Sequence, residues 1–223
     1  MTDALADRID RLRDRIARAG RDPDTVTIVA VTKGFGLDTV EHALAAGLTE
    51  LGENYAQDLR AKADALDSAQ RDAVRWHFIG RLQTNKVRLI APEVALWQSI
   101  DRPALAEEIA KHAPQAHVLV QVNTSGEEQK GGCRPDETER LVTRCRELGL
   151  TVRGLMCVGP AAAPDESRSA FRRLTTLADG LDLRERSMGM SDDLDIALDE
   201  GSTMIRIGTA LFGSRPAPPG AHR

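Results

Sequence analysis

The feature that most constrains this chain is strict alternation. Eight short apolar or β-branched runs, at 25–32, 50–53, 75–79, 95–100, 117–123, 150–156, 183–188 and 203–207, are separated by stretches with helical periodicity near 37–46, 54–66, 83–90, 103–112, 135–148, 165–179 and 192–199. Alternation of this kind predicts parallel strands with helices outside the sheet. An open sheet of eight strands would have two edges to protect, and closure removes both. The 223 residues are close to the lower limit for a (β/α)8 barrel. The expectation is therefore an α/β fold, a single (β/α)8 TIM barrel over residues 1–214 with an extra N-terminal helix. That helix is marked by Leu5, Ile9, Leu12 and Ile16 at 4-3-4 spacing and ended by Gly20. Start signals stand at Asp101 with Pro103, at Arg134–Pro135–Asp136, and at Ser191 before Asp192 and Asp193. A short helical turn is expected after Gly208. The weakest strand is the seventh, where RERS is polar. The tail 215–223, RPAPPGAHR, is rich in Pro and Gly and is expected to be disordered.

Composition removes several function classes. A net charge of −4 and a pI near 5.8 argue against a nucleic-acid binder, which usually carries a basic face. The mixed charges of the first helix read as a solvated face rather than a basic arm. No apolar run is long enough to span a bilayer, and the first ten residues lack the basic-then-apolar pattern of a secretory signal. Cys133, Cys145 and Cys157 are odd in number and never spaced CxxC, which fits a reducing cytoplasm and supports neither a metal site nor a disulfide framework.

In barrel enzymes the chemistry collects where strands run into their following loops. Lys33 follows VAVT at such a point. Desolvation favours a neutral amine there, as carbonyl addition requires; a lysine merely reaching solvent fits the same position. The eighth strand runs into TMIRIGTALFG. Gly208 permits close backbone approach and Thr209 adds a hydroxyl, which suits either a phosphate cradle or an ordinary capped turn. Gly189 and Ser191 of MGMSDD stand on the adjacent side. Arg206 lies within the strand and needs an anion or an acceptor if it faces inward. An unprotonated pyridine nitrogen would serve, as would a structural carboxylate. An amine for an aldehyde, a cradle for a phosphate and a cation for a ring nitrogen together describe pyridoxal 5′-phosphate (PLP). His77 and Asn54 are further strand-end candidates, each also readable as structural. Lys130, in GEEQKGG, is a second possible aldehyde acceptor, with an exposed loop lysine the safer reading.

VAVTK, LGENYAQDL, WHFIGRLQTNK, VLVQVN, RGLM, SMGMSDDLDIAL and GSTMIRIGTALFG, in that order from residue 5 to Gly213, resemble the pyridoxal phosphate homeostasis protein family. The resemblance implies a barrel similar to the N-terminal domain of alanine racemase, and PLP bound as a Schiff base on Lys33. It further implies that Arg206 faces the pyridine nitrogen, that Ser191, Gly208 and Thr209 hold the phosphate, and that Asn54, His77 and Ser187 line the pocket. The chain departs from the usual family pattern in KGFG after the lysine and in Arg186 before SMGMS.

A racemase needs a base on each face of a planar carbanion. The only tyrosine is Tyr55, and an arginine at the pyridine nitrogen would weaken the cofactor as an electron sink. The expected role is thus PLP homeostasis: storage, buffering or delivery of the cofactor by a cytoplasmic, monomeric carrier. PLP itself and apo PLP-dependent enzymes are the expected partners, with no nucleic acid and no membrane. A slow PLP-dependent amino-acid racemase is the alternative reading, and a cofactor-free Schiff-base aldolase a third.

Overall fold

The computed structural model describes residues 2–160 and 164–214; the tail 215–223, expected to be disordered, lies outside the described residues. Its strands are β1 (Thr27–Val31), β2 (Glu50–Glu53), β3 (Arg75–Phe78), β4 (Val94–Ile100), β5 (His117–Gln121), β6 (Thr151–Met156), β7 (Glu185–Ser187) and β8 (Met204–Ile207). All neighbours pair in parallel, and β8 returns to β1 with Val29 opposite Arg206, so the sheet closes in the order β1 to β8.

Ten α-helices are described: α1 (Thr2–Arg18), α2 (Leu37–Ala45), α3 (Ala56–Ala65), α4 (Ser68–Ala73), α5 (Val87–Ile90), α6 (Pro103–His112), α7 (Thr138–Glu147), α8 (Pro164–Gly180), α9 (Leu194–Asp199) and α10 (Thr209–Phe212). None is long and apolar enough to cross a membrane. Helix α1 buries Leu5, Ile9, Leu12 and Ile16, the stripe expected from their spacing, against α2, α9 and α10. Two long-range contacts pin it: Arg8 Nη1 donates to the Leu211 carbonyl at 2.8 Å, and Arg15 pairs with Asp195 at 3.0 Å.

The start signals are used differently from expectation. Asp193, not Ser191, precedes α9, and its carboxylate turns back to accept the Met190 N–H at 2.6 Å. Asp101 pairs with Arg102 at 2.5 Å instead of capping α6, whose first residue is Pro103 as expected.

The polar seventh strand is real but only three residues long, and its charged side chains are met from outside the barrel. Glu185 pairs with Arg153 of β6, and Arg186 pairs with Asp179 of α8. Arg186 leaves the register intact, with Met156 opposite Ser187. A small apolar layer of Val29, Leu96, Leu119, Met156 and Met204 fills part of the barrel interior, while the larger core lies between strands and helices.

Candidate functional site

The carboxyl ends of the strands open into one cavity of about 690 Å³. Every strand supplies part of its wall: Lys33 after β1, Asn54 after β2, Gly80 after β3, Asp101 after β4, Gln121 ending β5, Val158 after β6, Ser191 after β7, and Gly208 with Thr209 after β8. Arg206 reaches the same cavity from within β8. Of the residues singled out from sequence, Lys33, Asn54, Ser191, Arg206, Gly208 and Thr209 are therefore brought together.

His77 and Ser187, expected at the pocket, are not among the residues of that wall. Both side chains are buried in the barrel interior beneath the cavity, His77 at 2% exposure. There they belong to a string of hydrogen bonds. Arg206 Nη1 donates to Ser187 Oγ at 2.8 Å, and Ser187 Oγ donates to Gln98 Oε1 at 2.6 Å. Gln98 Nε2 meets His77 Nδ1 at 2.6 Å, and His77 Nε2 meets Glu50 Oε2 at 2.5 Å. A guanidinium can only donate, so the Ser187 proton goes to Gln98 Oε1. That leaves the Gln98 amide donating to Nδ1 and places the His77 proton on Nε2, facing Glu50. Burial works against ionisation of Glu50, but the hydrogen bonds from His77 and Arg75, with the Arg75 charge, outweigh it and hold the carboxyl below its usual range. Gln98, the hub of this string, was not foreseen in WQSI.

Arg206 is nearly fully buried. Its other contact is a donation from Nη2 to the Cys157 carbonyl at 2.7 Å, so its hydrogen-bond partners among the described residues are neutral. Burial pushes the guanidinium below its ordinary range, opposed by the charges of its surroundings, Asp193 among them. A buried cation without a contacting carboxylate is costly unless other groups meet it.

Lys33 lies half-buried in a turn closed by the Phe35 N–H donating to the Thr32 carbonyl at 3.0 Å. The residue before it is held by a buried cluster that the sequence did not reveal. Thr32 Oγ1 donates to Glu53 Oε1 at 2.8 Å, while Lys62 Nζ donates to the Thr32 carbonyl at 2.8 Å and pairs with Glu53 at 2.5 Å. The KGFG departure has a local role as well. Phe35 lines the cavity and packs edge-on against Phe212 of α10, with ring centroids 5.6 Å apart. This ties the lysine turn to the segment after β8.

Gly80 and Gly189 are required at this end. A Cβ on Gly80 would stand 2.0 Å from the Asn54 carbonyl oxygen, so only glycine lets these two loops meet. Gly189 has φ of +97°, and a Cβ there would lie 2.6 Å from that of Ala197. Helix α10 begins at Gly208 with no side-chain cap, leaving amide N–H groups at the cavity wall. Asn54 lines the cavity, and its buried Oδ1 atom has no hydrogen-bond partner among the described residues.

Lys130 also lines the cavity, contrary to the reading of it as an exposed loop lysine. Gln121 Nε2 donates to its carbonyl at 2.9 Å and holds the loop in place. Gln121 is two residues beyond the inward Leu119, which is the signal that could have placed it. Arg81 and Phe35 were likewise missed. Tyr55 is 60% exposed and lines a neighbouring groove rather than this cavity. Among the described residues, no cluster of three or more His, Cys, Asp or Glu could hold a metal ion.

The family model described as "Alanine racemase, N-terminal domain" matches residues 1–216. A pyridoxal phosphate homeostasis protein of Pseudomonas aeruginosa is 42% identical over 92% of this chain and 91% of its own length. One from Aquifex aeolicus is 38% identical over 93% and 95%. The structure of PipY from Synechococcus elongatus with PLP bound matches 94% of this chain and 100% of its own, with a TM-score of 0.83 and 31% identity. Alanine racemase from Corynebacterium glutamicum matches 99% of this chain and 63% of its own, with a TM-score of 0.72 at 18% identity, a likeness of fold alone.

Proposed function

Because this chain belongs to the alanine racemase N-terminal domain family, among its pyridoxal phosphate homeostasis proteins, we propose that it binds PLP through Lys33 and serves PLP homeostasis by storing, buffering or delivering the cofactor. PLP supplies an aldehyde that captures amines reversibly, a pyridine ring and a phosphate dianion. The observation that carries the reading is the convergence of three complementary groups on one cavity: the Lys33 amine, the Arg206 guanidinium, and the segment Gly208–Thr209 with Ser191.

In this reading Lys33 presents its amine from a turn braced by the Glu53–Lys62 pair. Arg206 donates to the ring nitrogen and keeps it unprotonated, as a permanent cation does. The uncapped amides at the start of α10 and the Ser191 and Thr209 hydroxyls meet the phosphate. Asn54 supplies a further polar contact. His77 and Ser187 act one layer below, by orienting Arg206 through Gln98. The fit to PLP, and to the PLP-bound relative, favours this over a cofactor-free aldolase. The position of Tyr55 outside the cavity favours a carrier over a racemase that would use it as second base. We place apo PLP-dependent enzymes as recipients. We propose a monomer in the cytoplasm, a setting that three buried free thiols support.

The test is PLP titration followed by borohydride reduction and peptide mapping. A visible absorption band and a pyridoxyl label on the Lys33 peptide are expected, both lost in Lys33→Ala. No band in the wild-type chain, or an undiminished label on another lysine in the variant, would sink the proposal. Chiral chromatography of an amino-acid panel addresses turnover: fast racemisation abolished by Lys33→Ala would overturn the carrier role.

A further inference from the structure

A second groove, of about 710 Å³, runs beside the cavity described above. The two share Asn54, Arg81 and Asp101 as a common wall. The groove has its own charge. Arg81 and Lys86 line it, and among the described residues neither side chain has a hydrogen-bond or ion-pair partner. Arg102 lines it too, but is already committed: Nη1 meets Asp101 at 2.5 Å and Nη2 donates to the Leu82 carbonyl at 2.8 Å. Arg102 and Asp101 cancel, so the groove keeps two uncompensated positive charges. The remaining surface is mixed, with Phe78 and Leu82 buried behind it and the exposed Tyr55 ring at its side.

A concave surface with two unmatched cations of different geometry and an aromatic flank has a definite complement. Arginine offers a planar fork of donors and lysine a point charge, and both suit an oxyanion. The low-dielectric wall behind them strengthens the attraction relative to open water. We infer that this groove is an oxyanion subsite, receiving the carboxylate of a small amino acid or the phosphate of a second B6 vitamer, with Arg81 and Lys86 as its anchors. The shared wall sets the bound anion next to the Lys33 cavity, so a molecule held here by its anionic end can reach that cavity with its other end. The inference stands on the groove's own residues and does not depend on what Lys33 carries.

The test measures how fast Lys86 is acetylated by a lysine-selective reagent, with peptides quantified by mass spectrometry. Lys111, with a 68% exposed side chain, is the internal control. The full chain is used with PLP reduced onto it, so that the first cavity is filled, and again as Lys33→Ala without PLP. The probes are inorganic phosphate, pyridoxine 5′-phosphate and L-alanine, each against sodium chloride at matched ionic strength. Expected is a severalfold slowing at Lys86 with an oxyanion, no change at Lys111, and loss of protection in Arg81→Gln. Protection by the phosphates alone assigns the phosphate source, and protection by alanine alone assigns the carboxylate. Equal labelling with every probe and with chloride overturns the inference. Because the Lys33→Ala arm carries no PLP, protection there with no visible band in the wild-type chain would separate failure of the PLP reading from failure of this one.

Discussion

Replacing Lys62 by methionine keeps most of the buried aliphatic stem and removes the charge that meets Glu53. The Glu53 side chain is 0% and that of Lys62 8% exposed, and their atoms are 2.5 Å apart. At an effective dielectric of about 20 this separation corresponds to a gross attraction of roughly 6–7 kcal/mol, much of which offsets the cost of desolvating both groups. Stranding one partner of a buried pair costs about 3–5 kcal/mol, a large share of a typical stability of about 5–15 kcal/mol. Lys62→Met should therefore shift the urea unfolding midpoint sharply downward. The double variant Glu53→Gln/Lys62→Met removes the stranded charge and should recover a large part of the loss, because the pair acts as a unit. PLP capture should weaken in the single variant as well, since Lys62 also holds the Thr32 carbonyl next to Lys33. An unchanged midpoint for Lys62→Met, or a double variant as destabilised as the sum of the singles, would refute the reasoning.

Acid stability should depend on Glu50. Its folded pKa lies below the unfolded one, so its contribution is present above the unfolded value and is lost as pH falls through the folded value. Glu50→Gln should flatten the acid limb of stability against pH, and parallel curves for the two proteins would contradict this. The three thiols should be inert in the native state, because burial raises Cys133 and Cys157 to about 11 and Cys145 to about 12. A disulfide reagent at neutral pH should titrate none before unfolding, and one fast-reacting thiol in the folded protein would count against the description.

The barrel was legible because alternation is a global signal. Each strand is short, but eight in sequence leave few other arrangements. What was missed is local. Helix α4 buries no residue and so has no apolar period; it is held by a capping box, in which Asp67 accepts from the Gln70 N–H at 2.8 Å and Gln70 Oε1 accepts from the Asp67 N–H at 3.2 Å. The D-x-x-Q spacing was the readable sign. Lys33, Arg206 and Gly208 were legible because strand ends converge in any barrel. The depth of His77 and Ser187 was not, since it depends on which neighbouring side chains fill the layer above. Lys62 looked like any solvated helix charge, because its partner stands nine residues away on a strand.

Every donor in the string from Arg206 through Ser187, Gln98 and His77 to Glu50 faces the same way, so no member can turn alone. Reversing Gln98 would set its oxygen against the lone pair of Nδ1 and its amide against the Ser187 proton. The string behaves like a helix macrodipole assembled from side chains, its negative pole beneath the guanidinium and its positive pole at the carboxylate. A cation with no acid in contact is thereby steadied from the opposite mouth of the barrel, where Glu50 is partly open to solvent. If Arg206 holds a ring nitrogen as proposed, its grip would be adjustable from the far side of the protein, with the cavity wall left untouched.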